Sequence, residues 1–250
     1  MTRDPGPLRG RTALVTGGAR RIGRAITLAL AEAGVNIAVH YHASLEEAEE
    51  TAAAARAHGV RAATVRADLS RTEESEGFLA RVLEAIGPLD ILINNASIFP
   101  SDRLGDVTVE AIERNMRVNA LSPLLLARAF AAQERPGSIV NLLDARMADY
   151  DASHVAYHLS KRALFSLTRM MALEFAPAIR VNGIAPGLIL PPAGKDESYL
   201  QKLAHTNLLQ AYGGPDDVVA AAMYLLRSRF VTGQILYVDG GRNLRGGVYE

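Results

Sequence analysis

The chain contains no cysteine. That absence removes disulfides, thiolate metal sites and cysteine nucleophiles together, and no metal site is expected. Charge of neither sign is in excess, since 27 Lys and Arg balance 27 Asp and Glu. A neutral chain has no broad attraction for nucleic acid or for anionic membranes, so neither partner is expected. No apolar run approaches the roughly 20 residues of a membrane helix. The polar opening, MTRDPGPLRGR, lacks the apolar core of a signal peptide, and a cytoplasmic protein is the expectation. What is abundant is apolar. A hydrophobic share of 49% against 22% charged suits a globular protein with a large core, in one large domain or two small ones.

Short apolar runs alternate with helical patterns. Strands are expected at 12–17 (TALVTG), 36–41 (NIAVHY), 60–69 (VRAATVRADL), 90–96 (DILINNA), 138–143 (SIVNLL), 179–187 (IRVNGIAPG) and 234–241 (QILYVDGG). Helices are expected at 21–33, 44–59, 72–86, 109–134, 153–176 and 215–228. The second of these carries a capping-box pattern, Ser44 with Glu47 three residues on, and stops at Gly59. Apolar strands separated by such helices predict a parallel sheet covered on both faces. No repeat or low-complexity linker divides the chain, so the expectation is α/β: one doubly wound, Rossmann-type domain over 1–250. Ligands in such folds gather at the carboxyl ends of the strands. The unusual residues of this sequence fall there.

The stretch TGGARRIGRA (16–25) follows a strand and opens a helix, the context that gives a glycine motif meaning. Its glycines allow tight turning, and backbone N–H groups at the helix start can face a pyrophosphate. Arg20 and Arg21 stand where the chain would pass closest to phosphate. The other reading of Arg21 is a solvent-facing residue at a helix start, where the dipole slightly disfavours it. After the second strand, HYHAS (40–44) offers no carboxylate before Glu46, although a ribose 2′-hydroxyl would want one. Arg20, His42 and Ser44 instead supply donors and positive charge for a 2′-phosphate. NADPH is the expected cofactor. Alternatively, the histidines are ordinary strand-end residues and Ser44 is only a helix cap.

Tyr157 and Lys161 lie four apart on a helix and share a face. An ammonium about 5 Å from a phenol, at an effective dielectric of about 20, favours phenolate by about 3 kcal/mol. The tyrosine is therefore expected to exchange protons near neutral pH.

Asp68 in ADL, NNA at 94–96, Asn119 in VNALSP, the Tyr157/Lys161 pair and PG at 186–187, in this order and spacing, resemble the short-chain dehydrogenase/reductase family. The resemblance covers essentially the whole chain. It implies a cofactor loop of Thr16, Gly17, Arg20, Arg21, Ile22 and Gly23, continued by His40, Tyr41, His42 and Ser44. It further places Asp68, Leu69, Asn95, Ala96 and Ser97 at the cofactor, with Pro186, Gly187 and Leu188 on the opposite side. Tyr157 and Lys161 would be catalytic, Lys161 also holding the nicotinamide ribose, and Asn119 would order a water for proton resupply.

Within the family the usual loop is Thr-Gly-x-x-x-Gly-x-Gly. Arg21 takes the middle glycine here, which resembles the pteridine reductase branch. A guanidinium at that point suits either phosphate or a ring carbonyl. A second departure agrees with it. Where the family generally has a serine about a dozen residues before the tyrosine, this chain has Asp144, thirteen before Tyr157. An ionised aspartate cannot donate to a carbonyl, but it suits a ring offering N–H and amino donors. Pteridine reductases have aspartate there too. Phe99 falls where the branch has an aromatic that sandwiches the pterin, worth about 1 kcal/mol beyond area burial. Residues 188–213 are expected to form a substrate lid that orders on binding.

The expected activity is NADPH-dependent reduction of a dihydropterin or dihydrofolate, with Arg21, Ser97, Phe99, Asp144 and Tyr157 at the substrate. A generic carbonyl reductase, for instance of 3-oxoacyl thioesters, is the alternative. It would take its donor from Ser153, expected on or capping the next helix, or from a protonated Asp144. A third reading is a non-catalytic NADP-sensing protein. The family also implies a homotetramer.

Overall fold

The structure, a computed structural model, describes residues 8–192 and 194–245. The first seven residues of the opening stretch, position 193 of the expected lid, and residues 246–250 of the expected domain lie outside these. Seven strands form one parallel sheet: β1 (Thr12–Val15), β2 (Asn36–Tyr41), β3 (Ala62–Arg66), β4 (Ile91–Asn94), β5 (Gly137–Leu142), β6 (Ile179–Pro186) and β7 (Ile235–Val238). Their order is β3-β2-β1-β4-β5-β6-β7, a doubly wound Rossmann-type arrangement. The order in which strands are added reverses between β1 and β4, parallel neighbours whose residues Val15 and Ile93 are in register. Ligand crevices open at that switch point.

The apolar strands are covered on both sides, as continuous hydrophobic runs require. Helices α1 (Arg21–Glu32), α2 (Leu45–Ala57) and α8 (Pro215–Arg227) bury Ile26, Leu30, Ala52 and Leu225 against one face. On the other face α3 (Thr72–Ile86), α5 (Ser122–Ala131) and α6 (Val155–Glu174) bury Phe78, Phe130 and Met171. Full burial of such side chains contributes about 1.5–3 kcal/mol each. Two shorter helices, α4 (Val109–Met116) and α7 (Glu197–Leu203), flank the carboxyl edge. Among the described residues, no helix is long and apolar enough to cross a membrane.

Several elements are shorter than their sequence patterns. The third strand stops at Arg66, because the Asp68 carboxylate accepts from both the N–H and the hydroxyl of Ser70 and turns the chain. The last strand ends at Val238, because Asp239 accepts from the N–H groups of Gly241 and Asn243. The expected helix over 109–134 is broken. A π-turn, Arg117–Leu121, separates α4 from α5, and Pro123 has no N–H to give the carbonyl of Asn119. At α2 the expected capping box does not form. The Ser44 side chain makes no cap bond, and Glu47 turns to Arg20 at 3.2 Å. The expected lid is itself partly helical, with α7 followed by the turn Ala204–Thr206; the Asp196 carboxylate caps α7 by accepting from Ser198 N.

Candidate active site

A cavity of about 620 Å³ opens at the carboxyl ends of β1, β4, β5 and β6. The glycine loop forms its floor. Gly17 has φ +60°, a left-handed conformation that glycine adopts without a side-chain penalty. Gly23 allows close approach of α1, since a Cβ there would meet the Gly17 carbonyl oxygen at 2.1 Å. The first turn of α1 has no acidic residue and no capping side chain, so its N–H groups remain available to an anion. Ile22 lines the cavity beside them. This cradle fits a pyrophosphate.

Arg21 also has positive φ, +55°. The position therefore has the backbone that favours glycine, and arginine costs roughly 1 kcal/mol there. Its Nη2 donates to the Pro191 carbonyl at 2.7 Å. Arg21 thus ties the cofactor loop to the lid while facing the cavity.

Around the second strand the histidines divide by role. His40 is buried, its Nδ1 accepting from Gly17 N at 2.9 Å and its Nε2 lying 3.1 Å from the Ala67 carbonyl. Burial holds its pKa down to about 4, so the ring is neutral and shapes the loop. His42 faces the cavity, 3.7 Å from Asp68. Tyr41, Ser44 and Leu69 complete that end. Arg20 reaches it too, but shares its charge with Glu47.

Thr16, expected at the cofactor, is placed behind the loop. It is buried and outside the cavity lining; its hydroxyl accepts from the N–H groups of Asn95 and Ala96 at 2.9 and 3.0 Å. It joins the end of β1 to the chain after β4. Asn95 and Ala96 line the cavity, and Asn95 Nδ2 donates back to the carbonyls of Thr16 and Gly17.

At the other end, β5 delivers Asp144 and α6 delivers Tyr157 and Lys161. Tyr157 Oη donates to Asp144 Oδ2 at 2.7 Å. The second carboxylate oxygen accepts from Arg146 N at 2.7 Å and so starts the short turn Ala145–Ala148. Lys161 is buried, and its ammonium donates to the Leu142 carbonyl at 2.7 Å. Burial lowers its pKa to about 8. The expected lowering of the tyrosine does not occur. Burial first, then the adjacent Asp144 charge, pushes the Tyr157 phenol well above its ordinary value. Lys161 Nζ, 5.7 Å from the ring centre, does not offset them. Tyr157 is a neutral, proton-bearing group in this arrangement.

Asn119 is fully buried in the π-turn and is not among the lining residues. Its Oδ1 accepts from Ile98 N at 3.0 Å and the Ser97 hydroxyl at 3.1 Å, and its Nδ2 donates to Ile98 O and Ser160 Oγ. It fixes the chain after β4 to α6 through its side chain. Ser97 lines the cavity from this loop.

Phe99 follows on the same loop. It also lines the cavity, stacks on His154 at 4.0 Å between ring centres and meets Tyr157 edge-on at 4.5 Å. Behind it Arg146 and His154 both pair with Asp151. Asp102 holds the assembly to α6 by accepting from Ala156 N at 3.1 Å. Ser153, the expected rescue donor, precedes α6 and does not line the cavity; its carbonyl accepts from Asp102 N. Pro186, Gly187 and Leu188 form the wall opposite the glycine loop.

Sequence reasoning missed Arg146, Tyr199 and Arg242, all of which line the cavity. The Asp144-x-Arg146 spacing was visible, but the placement of Tyr199 and Arg242 depends on tertiary packing.

A family model described as enoyl-(acyl carrier protein) reductase matches residues 17–243. Glucose 1-dehydrogenase 2 of Bacillus subtilis is 32% identical over 95% of this chain and 96% of its own. L-xylulose reductase of Mesocricetus auratus is 34% identical over 94% and 97%. The crystal structure of FolM alternative dihydrofolate reductase 1 from Brucella canis, complexed with NADP, superposes with a TM-score of 0.90 at 34% identity, covering 95% of this chain and 96% of that one. With its fold, its glycine loop and its Tyr157/Lys161 pair, the chain belongs to the short-chain dehydrogenase/reductase family.

Proposed function

We propose that the protein is an NADPH-dependent pteridine reductase, converting a dihydropterin or dihydrofolate to the tetrahydro form. One observation carries the reading: a carboxylate, Asp144, occupies the cavity position beside the Tyr157 hydroxyl, at 2.7 Å, where family members generally offer a serine. That carboxylate accepts hydrogen bonds and cannot polarise a ketone by donation. A flat ring presenting N–H and amino groups matches it, and exposed Phe99 supplies a stacking face alongside.

The cradle between Gly17 and Gly23 fits a pyrophosphate, and Arg20, His42 and Ser44 offer donors for a 2′-phosphate, which would compete with Glu47 for Arg20 and with Asp68 for His42. When bound, NADPH supplies a hydride to a ring carbon. The chain supplies the rest. Asp144 orients the ring through its donors, while Tyr157 carries the proton that a ring nitrogen receives. Lys161 stands ready to stabilise the phenolate left behind, and its pKa near 8 lets it pass a proton near neutral pH. Reduction of a C=N bond develops no alkoxide, so the missing hydroxyl is not required. In the same reading the enzyme works as a cytoplasmic homotetramer.

The carbonyl-reductase reading draws on relatives such as L-xylulose reductase. Its donor beside Tyr157 would have to be a protonated Asp144, since Ser153 stands outside the cavity. The NADP-sensing reading leaves the proton-handling pair of Tyr157 and Lys161 without a use. Parallel NADPH-oxidation assays with dihydrobiopterin, dihydrofolate and acetoacetyl thioester decide among the three. Turnover of the pterins at far higher kcat/KM supports the proposal; turnover of the thioester alone, or of nothing, refutes it.

A further inference from the structure

Arg242 follows the last strand, in the short turn Arg242–Leu244, and lines the cavity. Its backbone is firmly placed: Asp239, buried, accepts from the N–H groups of Gly241 and Asn243 on either side, and Asp239 O accepts from Arg242 N. The turn packs against the turn Ala145–Ala148, which follows Asp144 and carries Arg146. That contact puts Arg242 at the substrate end, away from Arg20 and His42. Gly240 and Gly241 abut Asn207 and Leu208 of the lid, so the same turn also braces the lid's far end.

Among the described residues, the Arg242 guanidinium has no hydrogen-bond or ion-pair partner. Its neighbour Arg146 is neutralised by Asp151, and Tyr199 of α7 is close enough to Arg146 to act on its charge. Among the described residues, six cationic side chains line the cavity against two carboxylates, Asp68 and Asp144. Cofactor phosphates draw on those at the glycine-loop end. They leave Arg242 over.

We propose that Arg242, with Tyr199 of the lid helix α7 lining the same cavity, forms a subsite for an anionic group, carboxylate or phosphate, on the side chain of the ring substrate. This rests on the pteridine reading above and narrows it to charged-tail substrates, in preference to pterins with neutral hydroxyalkyl chains. Arginine's planar fork suits either anion.

The test compares dihydrofolate, which carries carboxylates, dihydroneopterin monophosphate, which carries a phosphate, and neutral dihydrobiopterin, in the wild type, Arg242→Gln and Arg242→Lys. Loss of one charge-assisted contact predicts that Arg242→Gln lowers kcat/KM for an anionic substrate about tenfold more than for dihydrobiopterin, through KM. Arg242→Lys should restore part of the difference. Whichever anionic substrate shows the effect identifies the anion. A parallel titration follows NADPH fluorescence in the binary complex as 4-aminobenzoylglutamate is added. Binding by the wild type that is lost in Arg242→Gln supports the subsite even if no pterin is turned over, a result that would remove only the pteridine reading. Equal losses for charged and neutral pterins, with 4-aminobenzoylglutamate bound alike by both proteins, overturn the subsite.

Discussion

Replacing Asp144 with serine would exchange a carboxylate for a hydroxyl donor beside Tyr157, and the structure predicts a specific cost. The bond at risk runs from Tyr157 Oη to Asp144 Oδ2 at 2.7 Å, inside a cavity where the phenol is buried. Hydrogen bonds to a charged partner contribute about 1.5–3 kcal/mol. At about 1.4 kcal/mol per factor of ten, losing the ionic acceptor for tyrosine and ring donors should cost about 10- to 150-fold in kcat/KM for dihydropterin. The dissociation constant for NADPH should change little, because among the described residues the Asp144 carboxylate bonds only Tyr157 and Arg146 N. A second signature is independent of rate. The Asp144 charge helps to hold the Tyr157 pKa high; without it the phenol's pKa falls, and the alkaline limb of the pH–rate profile should move to lower pH. The assay is steady-state NADPH oxidation from pH 6 to 10, with dihydropterin and with acetoacetyl thioester. Serine restores a donor, so the thioester should gain relative to the pterin. Unchanged pterin turnover together with an unmoved alkaline limb would refute the reasoning.

Three further outcomes are expected. Arg20→Ala with His42→Ala should raise KM for NADPH much more than for NADH, since both side chains lie at the 2′-phosphate end; equal responses would misplace that site. His40 binds its proton with a pKa of about 4 in the fold, against an ordinary 6.5. Between those values the unfolded chain takes up the proton first, so stability falls as pH drops from 6.5 to 4, by about 3 kcal/mol. Urea unfolding of His40→Gln should show a shallower loss over that window; parallel curves would contradict the assignment. Arg21→Gly removes a side chain from a φ of +55°, a relief of roughly 1 kcal/mol. It also cuts the tie to Pro191. Thermal stability should hold or rise while KM for the pterin increases; a fall in stability with KM unchanged would show that the tie is structural only.

Much of the frame was legible because period and punctuation coincide in this chain. Buried apolar runs such as ILIN in β4 alternate with helices that end at residues like Gly34. Ends were less legible where a side chain intervened: Asp68 closing β3, Asp239 closing β7 and Pro123 breaking the long helix act through hydrogen bonds that periodicity does not express. The expected site residues line one cavity except Thr16 and Asn119, which turn inward to join elements. The Tyr157 protonation state was misjudged. The four-residue spacing to Lys161 was visible, but the Asp144 contact and the burial of the phenol come from the meeting of β5 and α6. The turn of Arg242 packs against the distant turn Ala145–Ala148, and no local pattern could pair them.

The most direct measurement is methotrexate binding by calorimetry, with NADPH present and absent. A pteridine ring held between Phe99, Asp144 and the bound nicotinamide should bind tightly only when the cofactor is present. No binding in the presence of NADPH would contradict the central claim that this cavity is built for a pteridine ring.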